Sequence, residues 1–137
     1  MVEPRGLGDI RVGMEITPLV KRPTASQLAA WVDMSGDHNP IHLDKNFAVS
    51  RGLPGVIVPG QLVLAFLGQM MAEWLGDGGE LEKLSVRYKG LIFPDDTVTC
   101  RGVVTEKTCG RITLRVWAEN PRGKTTVVGT AVVKALG

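Results

Sequence analysis

Apolar side chains occupy most positions of the segment 60–75, which therefore lacks a broad polar face. A helix of this kind buries most of its surface inside a protein. Uncharged residues extend back to Gly52, but Pro54 and Pro59 interrupt that part. The helix itself would be about 22 Å long at 1.5 Å per residue, and it contains Glu73. We therefore predict a buried core helix and no membrane span.

Shorter helical patterns precede this segment. An amphipathic helix is predicted between Thr24 and Met34, with either Thr24 or Ser26 as its N-cap. Gly36 stands just past the end of that helix, where glycine commonly terminates helices. Asp44 is placed to cap a second, short helix.

The second half of the chain shows the period-two alternation that is typical of strands. Leu84, Val86 and Tyr88 alternate with polar residues, and three later segments are rich in β-branched residues. These later segments are 97–105, 112–118 and 125–133, and residues 12–20 can form an additional first strand. Short turns between them predict antiparallel neighbours. The whole chain, residues 1–137, is thus predicted to be a single α+β domain whose antiparallel sheet wraps one long helix.

Composition narrows the functional classes. The formal net charge is only +2, and the basic residues are scattered, so we predict no nucleic-acid partner. Cys100 and Cys109 form no paired motif, which favours reduced thiols in a cytoplasmic protein. The first residues also lack the apolar stretch of a signal peptide, which supports the same location.

The candidate chemistry lies in residues 35–44, which contain a carboxylate at Asp37 and an imidazole at His42. Pro40 disfavours helical backbone at Asn39, so the chain must turn between the two groups. On such a turn both side chains can point into one small space. There they can hold and polarise a water molecule, because histidine titrates near neutral pH and a carboxylate can accept a proton.

The chain resembles the MaoC-like (R)-specific enoyl-thioester hydratases and 3-hydroxyacyl-thioester dehydratases in the run Gly36-Asp37-His38-Asn39-Pro40-Ile41-His42-Leu43-Asp44, followed by Phe47-Ala48. These enzymes have hot-dog folds, in which a curved sheet wraps a long central helix. The resemblance covers nearly the whole chain and implies the same α+β architecture. Residues 53–60 and 72–78 are more weakly similar to actinobacterial two-subunit dehydratases of long-chain acyl synthesis.

This resemblance implies a role for each candidate site residue. Asp37 and His42 would be catalytic, binding the water that adds across the C2–C3 double bond of an enoyl thioester or leaves in the reverse reaction. Gly60, at the start of the long helix, would donate its backbone N–H to an oxyanion hole, and Asn39 would contribute to the oxyanion hole or to substrate binding. A helix N-terminus has unpaired N–H groups that suit this purpose. Pro59 departs from the family pattern, which usually has histidine there.

The implied substrate is an acyl thioester carried by coenzyme A or an acyl-carrier protein, and no further cofactor is expected. A sheet that wraps one helix leaves an exposed edge strand, and such edges are normally paired or covered. We therefore expect a homodimer, or a heterodimer with a paralogous hot-dog subunit.

Two other functions stay open at this point. A hot-dog acyl-thioesterase would also use a carboxylate, although its motifs differ. Alternatively, the chain could be one subunit of a heterodimeric dehydratase that requires a paralogous partner. His38 and His42 have the spacing of a metal-binding pair on a helix, but Pro40 breaks the helix that such a pair needs, and we predict no metal site.

Overall fold

The computed structural model describes residues 7–135, so the first six and last two residues of the predicted domain lie outside the described residues. The first half contains a 3₁₀ turn at Leu7–Asp9, β1 (Leu19–Lys21), α1 (Ala25–Ser35), a 3₁₀ turn at Pro40–His42, α2 (Lys45–Ser50) and α3 (Gly60–Leu75). The second half consists of β2 (Gly79–Tyr88), β3 (Val98–Thr108), β4 (Arg111–Glu119) and β5 (Thr125–Ala135).

The strands form one five-stranded antiparallel sheet in the order β1-β3-β4-β5-β2. Along β4, and along β3 as far as Val104, every second residue is buried, which is the period expected when one face of a sheet is covered. These buried residues are Val98, Cys100, Gly102, Val104, Ile112, Leu114, Val116 and Ala118. The helix α3 lies across this face, in contact with β1, β2, β3 and β4. The predicted α+β hot-dog architecture is confirmed.

Two glycines of α3 mark its register against β2. A Cβ added at Gly68 would lie 3.9 Å from Cδ2 of Leu84, and one added at Gly60 would lie 2.7 Å from Cε1 of Tyr88. Eight helical residues span about 12 Å and four strand residues span about 13 Å, so the two contacts have the same spacing along α3 and along β2. The strand thus runs antiparallel to the helix, with large side chains of β2 opposite small positions of α3.

The sheet covers only one side of α3. The residues on that side are Leu62, Val63, Leu67, Met70, Met71 and Leu75, all of them buried. The opposite stripe, which includes Gln61, Ala65, Gln69 and Glu73, is exposed in the single chain. The expected burial therefore holds for the face toward the sheet and not for this stripe. No helix within residues 7–135 is both long enough and apolar enough to cross a membrane.

The first predicted strand, residues 12–20, was wrong over most of its length. Regular strand is confined to β1, and Glu15 forms an isolated bridge with Val103. Gly13 has a positive φ of 90°, and Pro18 has no N–H to donate to a ladder. The segment therefore runs beside β3 without continuing its regular pairing.

The N-cap of α1 is Thr24. Its hydroxyl accepts a hydrogen bond from the N–H of Gln27 at 3.2 Å, and the side chain of Gln27 accepts one from the N–H of Thr24 at 3.0 Å. This reciprocal capping box satisfies two donors that the helix itself cannot pair. At the other end Gly36 takes φ 77° and donates to the carbonyl of Val32. The helix therefore ends at a defined residue, and Asp37 follows directly.

We expect Thr24→Ala to lower the free energy of unfolding by about 1 kcal/mol, because it removes the cap. Ser26→Ala is the matched control, since Ser26 is exposed and was the other cap candidate. Urea denaturation of both variants checks this expectation. Equal losses in the two variants would contradict the assignment of the cap to Thr24.

Candidate active site

The turn after α1 holds Asp37 through local hydrogen bonds. The hydroxyl of Ser35 accepts from the N–H of Asp37 at 3.2 Å, and Oδ1 of Asp37 accepts from the N–H of Asn39 at 3.3 Å. The side-chain oxygen of Asn39 then accepts from the N–H of Ile41 at 3.2 Å. Such side-chain turns are typical of Ser, Asp and Asn. One carboxylate oxygen of Asp37 thus serves the turn, and the other, Oδ2, is left for chemistry.

His42 is buried, and its ring is held by a distant backbone group. Its Nδ1 lies 2.8 Å from the carbonyl oxygen of Ile57. Because a carbonyl can only accept, Nδ1 carries the hydrogen, and in the neutral ring Nε2 keeps its lone pair. That Nε2 lies 3.7 Å from Oδ2 of Asp37, which is too far for a direct hydrogen bond. One water molecule can contact both atoms at this separation.

The same stretch of backbone leads into α3. The N–H of Ile57 donates to the carbonyl of Ile41 at 3.1 Å, and the N–H of Val58 donates to the carbonyl of Ile92 at 2.8 Å. These bonds attach the approach to α3 both to the turn that carries His42 and to the segment after β2. The histidine and the helix start are therefore held in one fixed arrangement.

The first donors of α3 are free. Gly60 is the first residue of the helix, and within residues 7–135 neither its N–H nor that of Gln61 has an acceptor in the protein. These groups and the helix dipole favour negative charge at this point. Pro59, the N-cap residue, is buried with φ −58° and ψ 133°, and its carbonyl accepts from the N–H of Leu62 at 3.0 Å. Proline at position 59 lacks an N–H of its own, but the N–H of Gly60 is retained.

Asp37, His42 and Gly60 line one cavity of about 320 Å³. Most of the remaining lining is apolar: Ile57, Val58, Val63, Leu91, Ile92 and Val127. The cavity therefore combines an acceptor pair, a donor at a helix N-terminus and an apolar wall. This combination suits a polar, uncharged reacting group attached to a hydrocarbon chain.

Asn39 and Tyr88 differ from the sequence-based expectations. Asn39 is absent from the cavity lining, and its side chain instead caps the 3₁₀ turn that carries His42. Tyr88 lines the cavity, although the sequence indicated only that it lies on a strand. Its alternation with Leu84 and Val86 identified the face of β2 to which it belongs, but nothing local indicated what that face meets.

The sequence also raised thiols and a histidine pair as candidate chemical groups. Burial raises the pKa of the Cys100 thiol to about 12, and neither cysteine lines the cavity. Within the described part of the chain, no three His, Cys, Asp or Glu side chains come together in a group that could hold a metal ion.

Comparisons with known proteins identify the family of the chain. A family model described as MaoC like domain matches residues 10–126. The chain is 33% identical to an (R)-specific enoyl-CoA hydratase of Aeromonas caviae over 121 residues, which are 85% of this chain and 89% of that protein. It also superposes on a solved (R)-hydratase from A. caviae involved in PHA biosynthesis with a TM-score of 0.86 and 32% identity, covering 92% of this chain and 97% of that one.

Two further matches are narrower in what they show. A fatty acid synthase beta subunit, TOXC of Cochliobolus carbonum, is 29% identical over 76% of this chain, but the chain spans only 5% of that protein. A chain of the ChsH1-ChsH2 complex from Mycobacterium tuberculosis has a TM-score of 0.84 at 22% identity, covering 92% of this chain and 98% of that one, and this likeness shows the fold alone. Since the family model matches most of the chain, and a relative one-third identical covers most of it, the chain belongs to the MaoC-like domain family.

Proposed function

We propose that this protein is a hydro-lyase that adds water across the C2–C3 double bond of a trans-2-enoyl thioester to give a (3R)-3-hydroxyacyl thioester, or catalyses the reverse dehydration. The observation that carries the proposal is the separation of 3.7 Å between Oδ2 of Asp37 and Nε2 of His42, in one cavity with Gly60. The Aeromonas relative, an (R)-specific enoyl-CoA hydratase, supports the reaction type.

The acceptor pair can orient a water molecule for attack. With Nδ1 of His42 donating to Ile57, both Nε2 of His42 and Oδ2 of Asp37 face the site as acceptors. A water between them donates one hydrogen to each, so its oxygen lone pairs point away from the pair toward a substrate in the cavity. Fixing the water in this way replaces a random encounter by an oriented one.

The reaction then balances within the site. The water oxygen bonds to C3 while one member of the pair accepts the proton, and the C2–C3 π electrons move toward the thioester carbonyl. The developing enolate oxygen is stabilised by the N–H of Gly60 at the positive end of α3. The pair then transfers this proton to C2, so that the hydrogen and the hydroxyl of one water molecule have been added across the double bond.

We propose coenzyme A or an acyl-carrier protein as the carrier of the acyl thioester, with no further cofactor. The free thiols of Cys100 and Cys109 support a reducing, cytoplasmic location.

A thioesterase would direct the same water to the carbonyl carbon of the thioester. The products therefore distinguish the two reactions, because hydration keeps the thioester and hydrolysis releases the carrier thiol.

We also propose that two hot-dog subunits pair through β2. This strand is ten residues long and lies at the edge of the sheet, and the backbone groups on its outer side have no strand partner within residues 7–135. Apolar side chains near this edge, Leu81, Tyr88 and Leu91, are exposed in the single chain. A long exposed edge of this kind is normally covered. The partner would be a second copy or a paralogous subunit.

We expect Asp37→Asn and His42→Ala each to lower kcat/KM for crotonyl-CoA by about 10²–10⁴-fold, because each removes a proton acceptor from the pair. Loss of the enoyl absorbance measures the rate. His42→Ala also leaves the carbonyl of Ile57 without its donor, so thermal unfolding must accompany the assay.

Asp33→Asn and His38→Ala are matched controls for these two changes. Both side chains are exposed and neither lines the cavity, so activity should be retained. Near-normal turnover in Asp37→Asn, or an equal loss in the Asp33 control, would show that the pair is structural.

Gly60→Ala should reduce activity more than stability. The added Cβ would lie 2.7 Å from the ring of Tyr88, so the half-exposed ring must shift at the cavity and disturb the donor beside it. Gly68→Ala is the control: its Cβ meets only Leu84 at 3.9 Å, an ordinary contact, and alanine should stabilise the helix interior by up to about 1 kcal/mol. Parallel assays and melting curves test both variants. Full activity in Gly60→Ala would contradict the proposed role of Gly60 as a donor to the oxyanion.

Light scattering at micromolar concentration should show a dimer. If the purified chain is active as a monomer, the edge-pairing proposal is wrong. Activity that appears only after mixing with a paralogous hot-dog subunit would select the heterodimer over the homodimer.

A further inference from the structure

Tyr88 lies against the backbone that supplies the free donor of α3. The positions nearest to a Cβ built at Gly60 are three atoms of the Tyr88 ring: Cε1 at 2.7 Å, Cζ at 3.0 Å and Cδ1 at 3.1 Å. The phenol oxygen is one bond beyond Cζ, so it too lies close to the N-terminus of the helix. Both residues line the cavity that contains Asp37 and His42.

Within residues 7–135 the hydroxyl of Tyr88 has no hydrogen-bond partner. No hydrogen bond to Tyr88 is made by any group in residues 7–135 beyond the pairing of its backbone in β2, and the residue is 51% exposed. In the single chain the hydroxyl is therefore open to water. A thioester that fills the cavity would remove some of this water, and a hydroxyl that loses its water without gaining a new hydrogen-bond partner is unfavourable.

We propose that the Tyr88 hydroxyl is a catalytic hydrogen-bond donor, which binds the thioester carbonyl oxygen together with the N–H of Gly60. The inference rests on the proposed hydratase function and completes its oxyanion site. An enolate-like oxygen can accept from two donors at once, and a preorganised second donor acts most strongly when the negative charge develops. The close packing of the ring on Gly60 provides the preorganisation, because the glycine leaves room for the ring.

Gln61 is the other side-chain donor of the cavity apart from the catalytic pair. It follows Gly60 on α3 and is exposed, and no side-chain hydrogen bond within residues 7–135 fixes its flexible amide. Tyr88, in contrast, is attached to β2 in a fixed register with β5, through pairing with Val127. The geometry therefore favours the phenol over the amide as the second donor.

Tyr88→Phe tests the hydroxyl while keeping the ring. We expect kcat to fall by about tenfold or more, since one oxyanion donor contributes strongly to the rate. KM should change little, because the interaction strengthens mainly in the transition state. The melting temperature should be unchanged, as the hydroxyl has no protein partner in the described structure. A purely structural ring would give the opposite result: normal kcat in Tyr88→Phe, with losses only in Tyr88→Ala.

Two matched variants complete this comparison. Ser85→Ala removes a hydroxyl from the same strand on the opposite face, outside the cavity, and should leave kcat unchanged. Gln61→Leu tests the rival donor. If Gln61→Leu lowers kcat and Tyr88→Phe does not, the second donor is the amide, and the proposal is overturned.

A direct readout is available because Tyr88 is the only tyrosine in the chain. Protein grown with 3-fluorotyrosine would give one fluorine resonance that reports this ring alone. We expect butyryl-CoA, a saturated thioester that cannot be hydrated, to shift this resonance in the wild type and in Asp37→Asn. Free coenzyme A lacks the thioester carbonyl and should not reproduce the shift; an equal shift with free coenzyme A would overturn the proposal.

The two proposals fail in different ways. If the wild type hydrates crotonyl-CoA and Tyr88→Phe is equally fast, the hydratase stands and the role of Tyr88 is lost. If the wild type does not hydrate any enoyl thioester, the proposed function is lost, and the fluorine shift with butyryl-CoA still decides whether Tyr88 meets the thioester.

Discussion

The hydrogen bond from Nδ1 of His42 to the carbonyl of Ile57 is the interaction on which the site depends. It places the hydrogen of the neutral ring on Nδ1, so that Nε2 is available beside Asp37. It also joins the turn to the approach of α3, since the N–H of Ile57 bonds back to the carbonyl of Ile41. Losing the imidazole would leave a buried carbonyl unpaired at a cost of about 1–3 kcal/mol, so position and chemistry are coupled in one residue.

The helix start is positioned by packing as well as by hydrogen bonds. Gly68 and Gly60 allow Leu84 and Tyr88 of β2 to approach α3 at two points of one register. An added Cβ at Gly60 would force the ring of Tyr88 to shift, whereas one at Gly68 would make an ordinary contact with Leu84. This register brings Gly60 and the ring of Tyr88 to the same cavity.

Pro59 shows how the protein differs from its family without losing the donor. The residue is the N-cap of α3, and its ring suits an extended backbone just before a helix. A helix start leaves its first N–H groups unpaired whatever residue precedes them. The departure therefore removes a polar side chain near the site, while the backbone group proposed to stabilise the oxyanion is retained.

The sequence by itself determined the features that local interactions encode. The helix ends at Thr24 and Gly36, the turn at Asn39 and the start of α3 at Gly60 all arise from side chains that bond to neighbouring backbone or from restricted backbone angles. The motif around Asp37 and His42 also indicated the family, and the alternation in the second half indicated the sheet.

Only the tertiary structure decided contacts between distant segments. Ile57 is fifteen residues from His42, and the partner of Tyr88 is a glycine on another element, so neither pairing has a local signal. Such contacts depend on how the sheet and α3 align, which is set by packing over the whole core. The same reason explains the irregular segment 12–20, where local propensity favoured a strand and the edge of β3 accepted only isolated pairing.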